Sequence, residues 1–353
     1  MSREFLWYIP NTVLSGHRGD DTVDGWGSLD YSVELALRAE RSGFGGALIG
    51  TGWRRPDSFA IATAIAARTT TFAPLVAIRP GYWNPAHFAS AAATLDQLSR
   101  GRLLVNVVTG ADDARAYGDV DLDKSSHYDR TREFLQLIRR LWREEDVTFD
   151  GEYFSVEHST LEPRIFGADD GRHPTLYFGG ASAAAEEVAA EEADVQLFWG
   201  EPLDGIAERI ERLKALSEKL DREHAPLEYG LRVTTLVRDT SEEAWRDAEG
   251  KVAELAGKPS VLLLHDAGSA EGQRRLSDLA GRGEVLDSCL YTTPSKYGGE
   301  GAGTTWLVGS AAEVAAALQH YRDLGVTHFI LSDTPYLPEV SRIGDQVLPL
   351  LRN

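Results

Sequence analysis

The chain has 353 residues, 42% of them hydrophobic and 26% charged, which excludes a mainly disordered protein and provides enough material for a large core. With 36 Lys+Arg against 55 Asp+Glu the formal net charge is −19, which argues against sequence-independent nucleic-acid binding and against an anionic membrane surface. An anionic small molecule stays compatible if a local positive pocket meets it, because the global field is screened within about 8 Å at cellular salt. The single cysteine, Cys289, leaves no intrachain disulfide and no cysteine zinc cluster, and fits a reducing cytoplasm. The first residues hold no long apolar segment, and no uncharged apolar run approaches about 18 residues, so neither a signal peptide nor a transmembrane helix is expected.

In chain order, short apolar runs alternate with longer amphipathic ones. Strands are predicted at 5–9, 47–49, 74–78, 103–108, 175–178, 195–198, 229–237 and 327–332. Helices are predicted at 30–41, 58–68, 85–98, 128–142, 183–191, 203–220, 242–255 and 311–324, with a closing helix to about residue 351. Asp150-Gly151 marks a hairpin within 147–156. Eight strand-then-helix units in one chain point to α/β architecture of the (β/α)8 TIM-barrel type rather than an open sheet. Two stretches break the rhythm. Residues 110–125 form a polar loop after the fourth strand, and 256–306 form a long insertion ending in a glycine-rich run, read as a mobile lid on a single domain spanning 1–353.

The familiar catalytic sets are absent from the sequence: no HExxH, no nucleophile elbow, no Walker A motif and no GxGxxG after a strand. A barrel without its own nucleophile or metal site often takes its chemistry from a cofactor. Asn106 and Thr109 end the fourth strand, where they serve either as turn formers or as hydrogen-bonding partners of a planar heterocycle. Gly179-Gly-Ala-Ser182 ends the fifth strand and opens a helix. That arrangement is an ordinary N-cap or a phosphate site built from free N–H groups. Arg232 lies inside the apolar strand Tyr-Gly-Leu-Arg-Val-Thr, where an arginine is costly unless it is paired or faces a ligand.

These segments together resemble the bacterial luciferase-like flavin monooxygenases, and within them the FMNH2-dependent alkanesulfonate monooxygenases. The similar stretches are Phe5–Pro10, Gly46–Gly52, Leu75–Pro80, Ala93–Ser99, Leu104–Gly110, Tyr128 with Glu133-Phe134, Leu176–Ser182, Phe198–Pro202, Gly230–Arg232 and Gly301–Thr304, in the family's order along nearly the whole chain. The resemblance implies a TIM barrel, a homodimer or homotetramer, reduced FMN on the C-terminal face, and a separate NAD(P)H:FMN reductase as partner. It implies that Ala77, Asn106 and Thr109 meet the flavin ring, that Tyr128, Gly180, Ala181 and Ser182 hold its phosphate, and that Trp199 and Arg232 line a sulfonate pocket. The implied chemistry uses O2 to cleave the C–S bond of an organosulfonate, giving sulfite and an aldehyde.

The substrate side departs from the family pattern. Arg55 stands where the family carries an active-site cysteine, Thr234 where it carries a histidine two residues past the strand-seven arginine, and Asn11-Thr12 where it carries Thr-His. The lid arginine is replaced by Gly299 or Glu300, with Lys296 the nearest cation, and the tyrosine of the last strand end, Tyr336, has shifted relative to its proline. Arg55 and Asn11 add hydrogen-bonding groups, which suits a hydroxylated substrate, such as the sulfosugar sulfoquinovose, better than a plain alkyl chain. Catalytic roles are thus expected for Arg232, Trp199, Arg55 and Tyr336, and substrate contacts for Asn11, Arg55, Trp199, Arg232 and Lys296. No metal is expected. The competing readings are a sulfone or aldehyde monooxygenase of the same superfamily and a deazaflavin-dependent oxidoreductase.

Overall fold

The computed structural model describes residues 4–12, 28–109, 114–120, 122–256, 271–297 and 304–352. Strand β1 (Phe5–Ile9) leads to α1 (Leu29–Arg41), β2 (Gly46–Ile49), α2 (Ser58–Arg68), β3 (Ala73–Ile78), α3 (Pro85–Ser99), β4 (Leu104–Val107) and α4 (Lys124–Arg143). A side hairpin, β5 (Val147–Asp150) and β6 (Ser155–Ser159), precedes β7 (Thr175–Gly179), α5 (Ala183–Glu192), β8 (Val195–Trp199), α6 (Leu203–Lys219), β9 (Glu228–Arg238) and α7 (Ser241–Ala256). Then come α8 (Glu271–Arg282), β10 (Val285–Leu286), β11 (Leu290–Tyr291), β12 (Trp306–Ser310), α9 (Ala311–Asp323), β13 (Val326–Ser332), α10 (Tyr336–Gln346) and α11 (Leu348–Leu351).

The starts of these helices follow from local chemistry. Asp57 caps α2 by accepting from the Ala60 amide at 2.7 Å, and Asn84 caps α3 ahead of Pro85, whose missing N–H costs nothing in the first turn. Ser310 and Glu313 form a reciprocal capping box on α9.

Eight strands close a parallel barrel in the order β1, β2, β3, β4, β7, β8, β9, β13 and back to β1. Helices surround it, as the eightfold rhythm of the sequence requires. The strands are buried over nearly every residue, which explains their continuous apolar runs.

Register identifies the inner face. Tyr177 on β7 donates to or accepts from His328 on β13 across the barrel at 2.9 Å, so Tyr177 points inward. Its register partner Asn106, and Ala77 paired in turn with Asn106, share that face. Arg232 on β9 lies over the ring of Tyr8 on β1, so it too points inward, together with its register partner Trp199.

The stretch 256–306 is not one open loop. Its described part, 271–297, folds as α8, the short β10–β11 hairpin and a 3-10 turn at Thr293–Lys296. The glycine-rich run at 298–303 lies outside the described residues. Strand β12 was not expected. It is a five-residue apolar run pressed between that glycine-rich run and a helix start, too short to show a period of its own. It pairs parallel with the upper half of the eleven-residue β9, whose lower half pairs with β8. Trp306 and Val308 of β12 pack with Leu236, Ala244, Ala248, Val252 and Tyr291 as a second, smaller core. Among the described residues no helix is long and apolar enough to cross a membrane.

Candidate functional site at the barrel mouth

The C-terminal ends of the parallel strands form one face, where barrel enzymes place their chemistry. On it the fold gathers Tyr8, Ala77, Asn106, Trp199 and Arg232, which the sequence scatters over more than two hundred residues.

Arg232 is half-buried, and its guanidinium carbon sits 4.2 Å from the centroid of the Tyr8 ring. Of the two readings the sequence leaves open, the buried salt bridge is not the one formed: among the described residues no carboxylate pairs with Arg232. Directly above it, two residues along the strand, Thr234 is fully buried and shares a 3.4 Å hydroxyl contact with Ser332. A cation held among a barrel's apolar walls with only a ring for company is disposed to take an anion.

Asn106 is 6% exposed, and its side-chain oxygen has no hydrogen-bond partner. An orphaned buried acceptor facing inward fits a heterocycle that brings its own N–H donor. Ala77 beside it is small enough to leave room for a flat ring, and its carbonyl is fixed from behind by the buried Ser58 hydroxyl at 2.8 Å. Thr109 is tied through its hydroxyl to Thr131 of α4 at 2.9 Å.

At the β7–α5 turn, the Ser182 hydroxyl caps α5 and also donates to the Tyr128 hydroxyl at 3.1 Å. The expected phosphate set therefore comes together from two elements 54 residues apart. Gly180 has φ of +154°, and a Cβ there would stand 2.5 Å from the Ala185 methyl. The bare backbone at this helix start leaves N–H groups open to an anion.

A buried ionic network supports this turn from beneath. Arg209 of α6, 2% exposed, donates to the Gly180 carbonyl at 2.5 Å, to Glu186 at 2.9 Å and to Glu201 at 2.8 Å, and it lies over the Phe198 ring at 4.7 Å. Arg275 of α8 reaches the other oxygen of Glu201. No motif marks Arg209, yet it carries a signal in the sequence: it falls with Ile206, Ile210 and Leu213 on the buried stripe of an amphipathic helix, where an arginine needs partners.

The remaining expected residues are placed differently from one another. Arg55 is partly buried at the mouth and donates to the Pro10 carbonyl, yet it also lines a neighbouring pocket. Asn11 is 1% exposed and spends both amide hydrogens on the Gly50 and Pro56 carbonyls, each at 2.8 Å. Its amide hydrogens thus join the β1 and β2 loops, while its buried side-chain oxygen, like that of Asn106, has no hydrogen-bond partner. Tyr336 is wholly buried at the start of α10, with its ring 6.3 Å from that of Tyr8. Its ring therefore neighbours the inward-facing Tyr8 that carries Arg232 on its face. Lys296 is exposed on its 3-10 turn, whose Ser295 hydroxyl is bonded to Leu276 of α8; among the described residues nothing brings it to Arg232. The position of the lost lid arginine, 299 or 300, lies outside the described residues. Among the described residues no group of three or more His, Cys, Asp or Glu could hold a metal ion. Burial pushes the Cys289 thiol up to about 11, so it stays protonated at neutral pH.

A closed parallel barrel whose mouth gathers an inward arginine and an orphaned buried amide oxygen is the setting in which this architecture binds a small molecule. The chain belongs to the luciferase-like monooxygenase family, whose pattern matches residues 4–328. Solved structures share the fold at low identity. Riboflavin lyase (RcaE), solved with modified FMN and substrate riboflavin, superposes with a TM-score of 0.79 at 18% identity, over 100% of this chain and 92% of its own. EDTA monooxygenase (EmoA) from Chelativorans sp. BNC1 gives 0.77 at 17% identity, over 99% and 93%. An F420-dependent secondary alcohol dehydrogenase in complex with an F420–acetone adduct gives 0.71 at 18% identity, over 100% of both chains.

Proposed function

We propose that the protein is the oxygenase of a two-component system: it takes reduced FMN from a separate NAD(P)H:FMN reductase, and O2, and cleaves the C–S bond of an organosulfonate. The observation that carries this reading is Arg232, an inward guanidinium beside Trp199 with no carboxylate partner among the described residues. The overall reaction balances as R-CH2-SO3⁻ + FMNH2 + O2 giving R-CHO + HSO3⁻ + FMN + H2O. Bound FMNH2 supplies the two electrons that let O2 oxidise the carbon bearing sulfur.

The chain's own residues bind, orient and shield. Asn106 accepts from the ring through its free oxygen, and Ala77 leaves the ring its space. Tyr128, Ser182 and the amides of Gly180 and Ala181 take the phosphate, with the α5 N-terminus favouring its charge. Arg232 holds the sulfonate through its planar fork, and Trp199 covers it with an apolar ring. The sulfonate is thereby pinned on the inner wall while its carbon is presented to the flavin side. A hydroxylated substrate such as sulfoquinovose fits the polar character that Arg55 gives the rim.

The test is sulfite release with reduced FMN, O2 and sulfonates from methanesulfonate through longer alkanesulfonates to sulfoquinovose. Sulfite from one member is expected, and Arg232→Ala should lower its kcat/KM by about a hundredfold or more while FMN affinity stays within about twofold. Tight FMNH2 binding with no sulfite from any member would overturn the sulfonate reading and bring forward sulfone or aldehyde oxidation. Tight binding of a deazaflavin in place of FMN would overturn the cofactor reading.

A further inference from the structure

The cation at the mouth rests on a phenol. The Arg232 guanidinium carbon stands over the face of the Tyr8 ring, 4.2 Å from its centroid. Tyr8 is 5% exposed, and the wholly buried Tyr336 ring backs it at 6.3 Å with a tilt of 59°, so packing fixes the ring. A ring face attracts the guanidinium charge and leaves its planar N–H fork to bond elsewhere.

The hydroxyl of the same tyrosine is uncommitted. It makes no hydrogen bond among the described residues, although a buried tyrosine hydroxyl ordinarily finds one. Gly50 of the neighbouring strand end lies beside it. A Cβ there would stand 3.2 Å from the Tyr8 hydroxyl and 3.2 Å from the Arg55 guanidinium, so a side chain at 50 would crowd the hydroxyl. The same distances place the Arg55 charge near the hydroxyl, which favours an anion there further.

An arginine alone separates anions poorly. Its fork takes two oxygens in its own plane, which a carboxylate supplies as well as a sulfonate does. The two differ in what is left over. A carboxylate held by both oxygens has no third, whereas a tetrahedral sulfonate projects one out of that plane. We infer that Tyr8 is the specificity-determining residue of this anion site: its ring seats Arg232, and its hydroxyl donates to the third oxygen of a tetrahedral head group. A carboxylate would leave that buried hydroxyl unpaired, so the site prefers a sulfonate. The inference rests on the sulfonate reading above and adds the residue that selects the head group.

The experiment measures binding by calorimetry, independent of turnover, for three pairs of matched sulfonate and carboxylate: methanesulfonate and acetate, hexanesulfonate and heptanoate, sulfoquinovose and glucuronate. Each is run on the wild type, Tyr8→Phe and Tyr8→Leu. In the wild type the sulfonate of at least one pair should bind about tenfold or more tightly than its carboxylate. Tyr8→Phe keeps the seat and removes the hydroxyl, and should cut that preference to about twofold or less by weakening the sulfonate alone. Tyr8→Leu removes the seat and should weaken both anions of the pair together. FMN affinity should stay within about twofold in both variants, a check that the barrel is intact. No preference in any wild-type pair, or a preference that survives Tyr8→Phe, would overturn the inference. A preference lost in Tyr8→Phe, from a wild type that releases no sulfite, would keep the head-group site and sink the desulfonation. Sulfite released with the same kcat/KM by wild type and Tyr8→Phe would keep the desulfonation and overturn the role of Tyr8.

Discussion

Each candidate residue is defined by what its side chain lacks as much as by what it touches. Among the described residues Arg232 lacks a carboxylate, and Asn106 lacks a donor. Both deficits lie on the inward face, where water cannot easily repair them. Asn106→Ala removes the orphaned acceptor and should weaken FMN by about tenfold in a fluorescence-quenching titration, while thermal stability holds or rises slightly, because an unsatisfied polar atom is lost. Unchanged FMN affinity would remove Asn106 from the proposed flavin site. Asn11 shows a mixed case: folding commits its amide hydrogens to two carbonyls and leaves its buried oxygen without a partner.

Among elements, the helix that changes the picture is α8. Its Arg275 grips Glu201, Glu201 grips Arg209, and Arg209 holds the Gly180 carbonyl. A Cβ on Gly272 at the start of α8 would lie 4.0 Å from the Ala181 methyl, so the helix also lies close over the turn itself. The insertion is therefore built into the support of the proposed phosphate turn. Arg209→Ala leaves Glu186 and Glu201 buried without their shared cation and should cost about 3–5 kcal/mol in denaturant unfolding. Arg275→Ala removes a half-buried partner from the same chain, should cost less stability, and should still weaken FMN several-fold. A Kd for FMN identical to wild type in Arg275→Ala would show that the network holds the fold and not the turn.

On the scale of the whole molecule, the barrel's last turn is locked to its flank by charge. Arg238 at the end of β9 pairs with Asp247 of α7 at 2.6 Å and with Glu339 of α10 at 3.1 Å, and Lys251 of α7 pairs with Asp333 just past β13 at 3.1 Å. Burial, and then the nearby Asp333 carboxylate, push Glu339 up to about 7. The sign follows from linkage. The folded state holds a proton on Glu339 that the unfolded chain, near the ordinary carboxylate value of 4.5, has given up. This group's contribution is thus fully present below about 4.5 and is lost as pH rises through about 7. Stability measured from pH 5 to 8 should carry a falling component that Glu339→Gln removes. A variant with the same slope as wild type would assign that slope to other groups.

The architecture was legible in the residues themselves. Eight apolar runs, each followed by an amphipathic stretch, allow little besides a closed parallel barrel, because alternation of strand and helix is a local property. Arg232 was legible for the same kind of reason: a cation in an apolar strand stands out in one dimension. Local pattern could not show which neighbours each side chain would meet. Whether Arg232 had found a carboxylate, whether Asn11 faced a ligand or a carbonyl, and whether Trp53, Tyr82 and Tyr117 formed one cluster all depend on contacts between residues far apart in the chain. Strand β12 belongs there too, since its pairing with the upper half of β9 exists only because β8 ends lower on the same edge. The sequence by itself determined the barrel and the inward arginine; the tertiary structure alone decided which polar groups were already satisfied by the fold and which were left for a ligand.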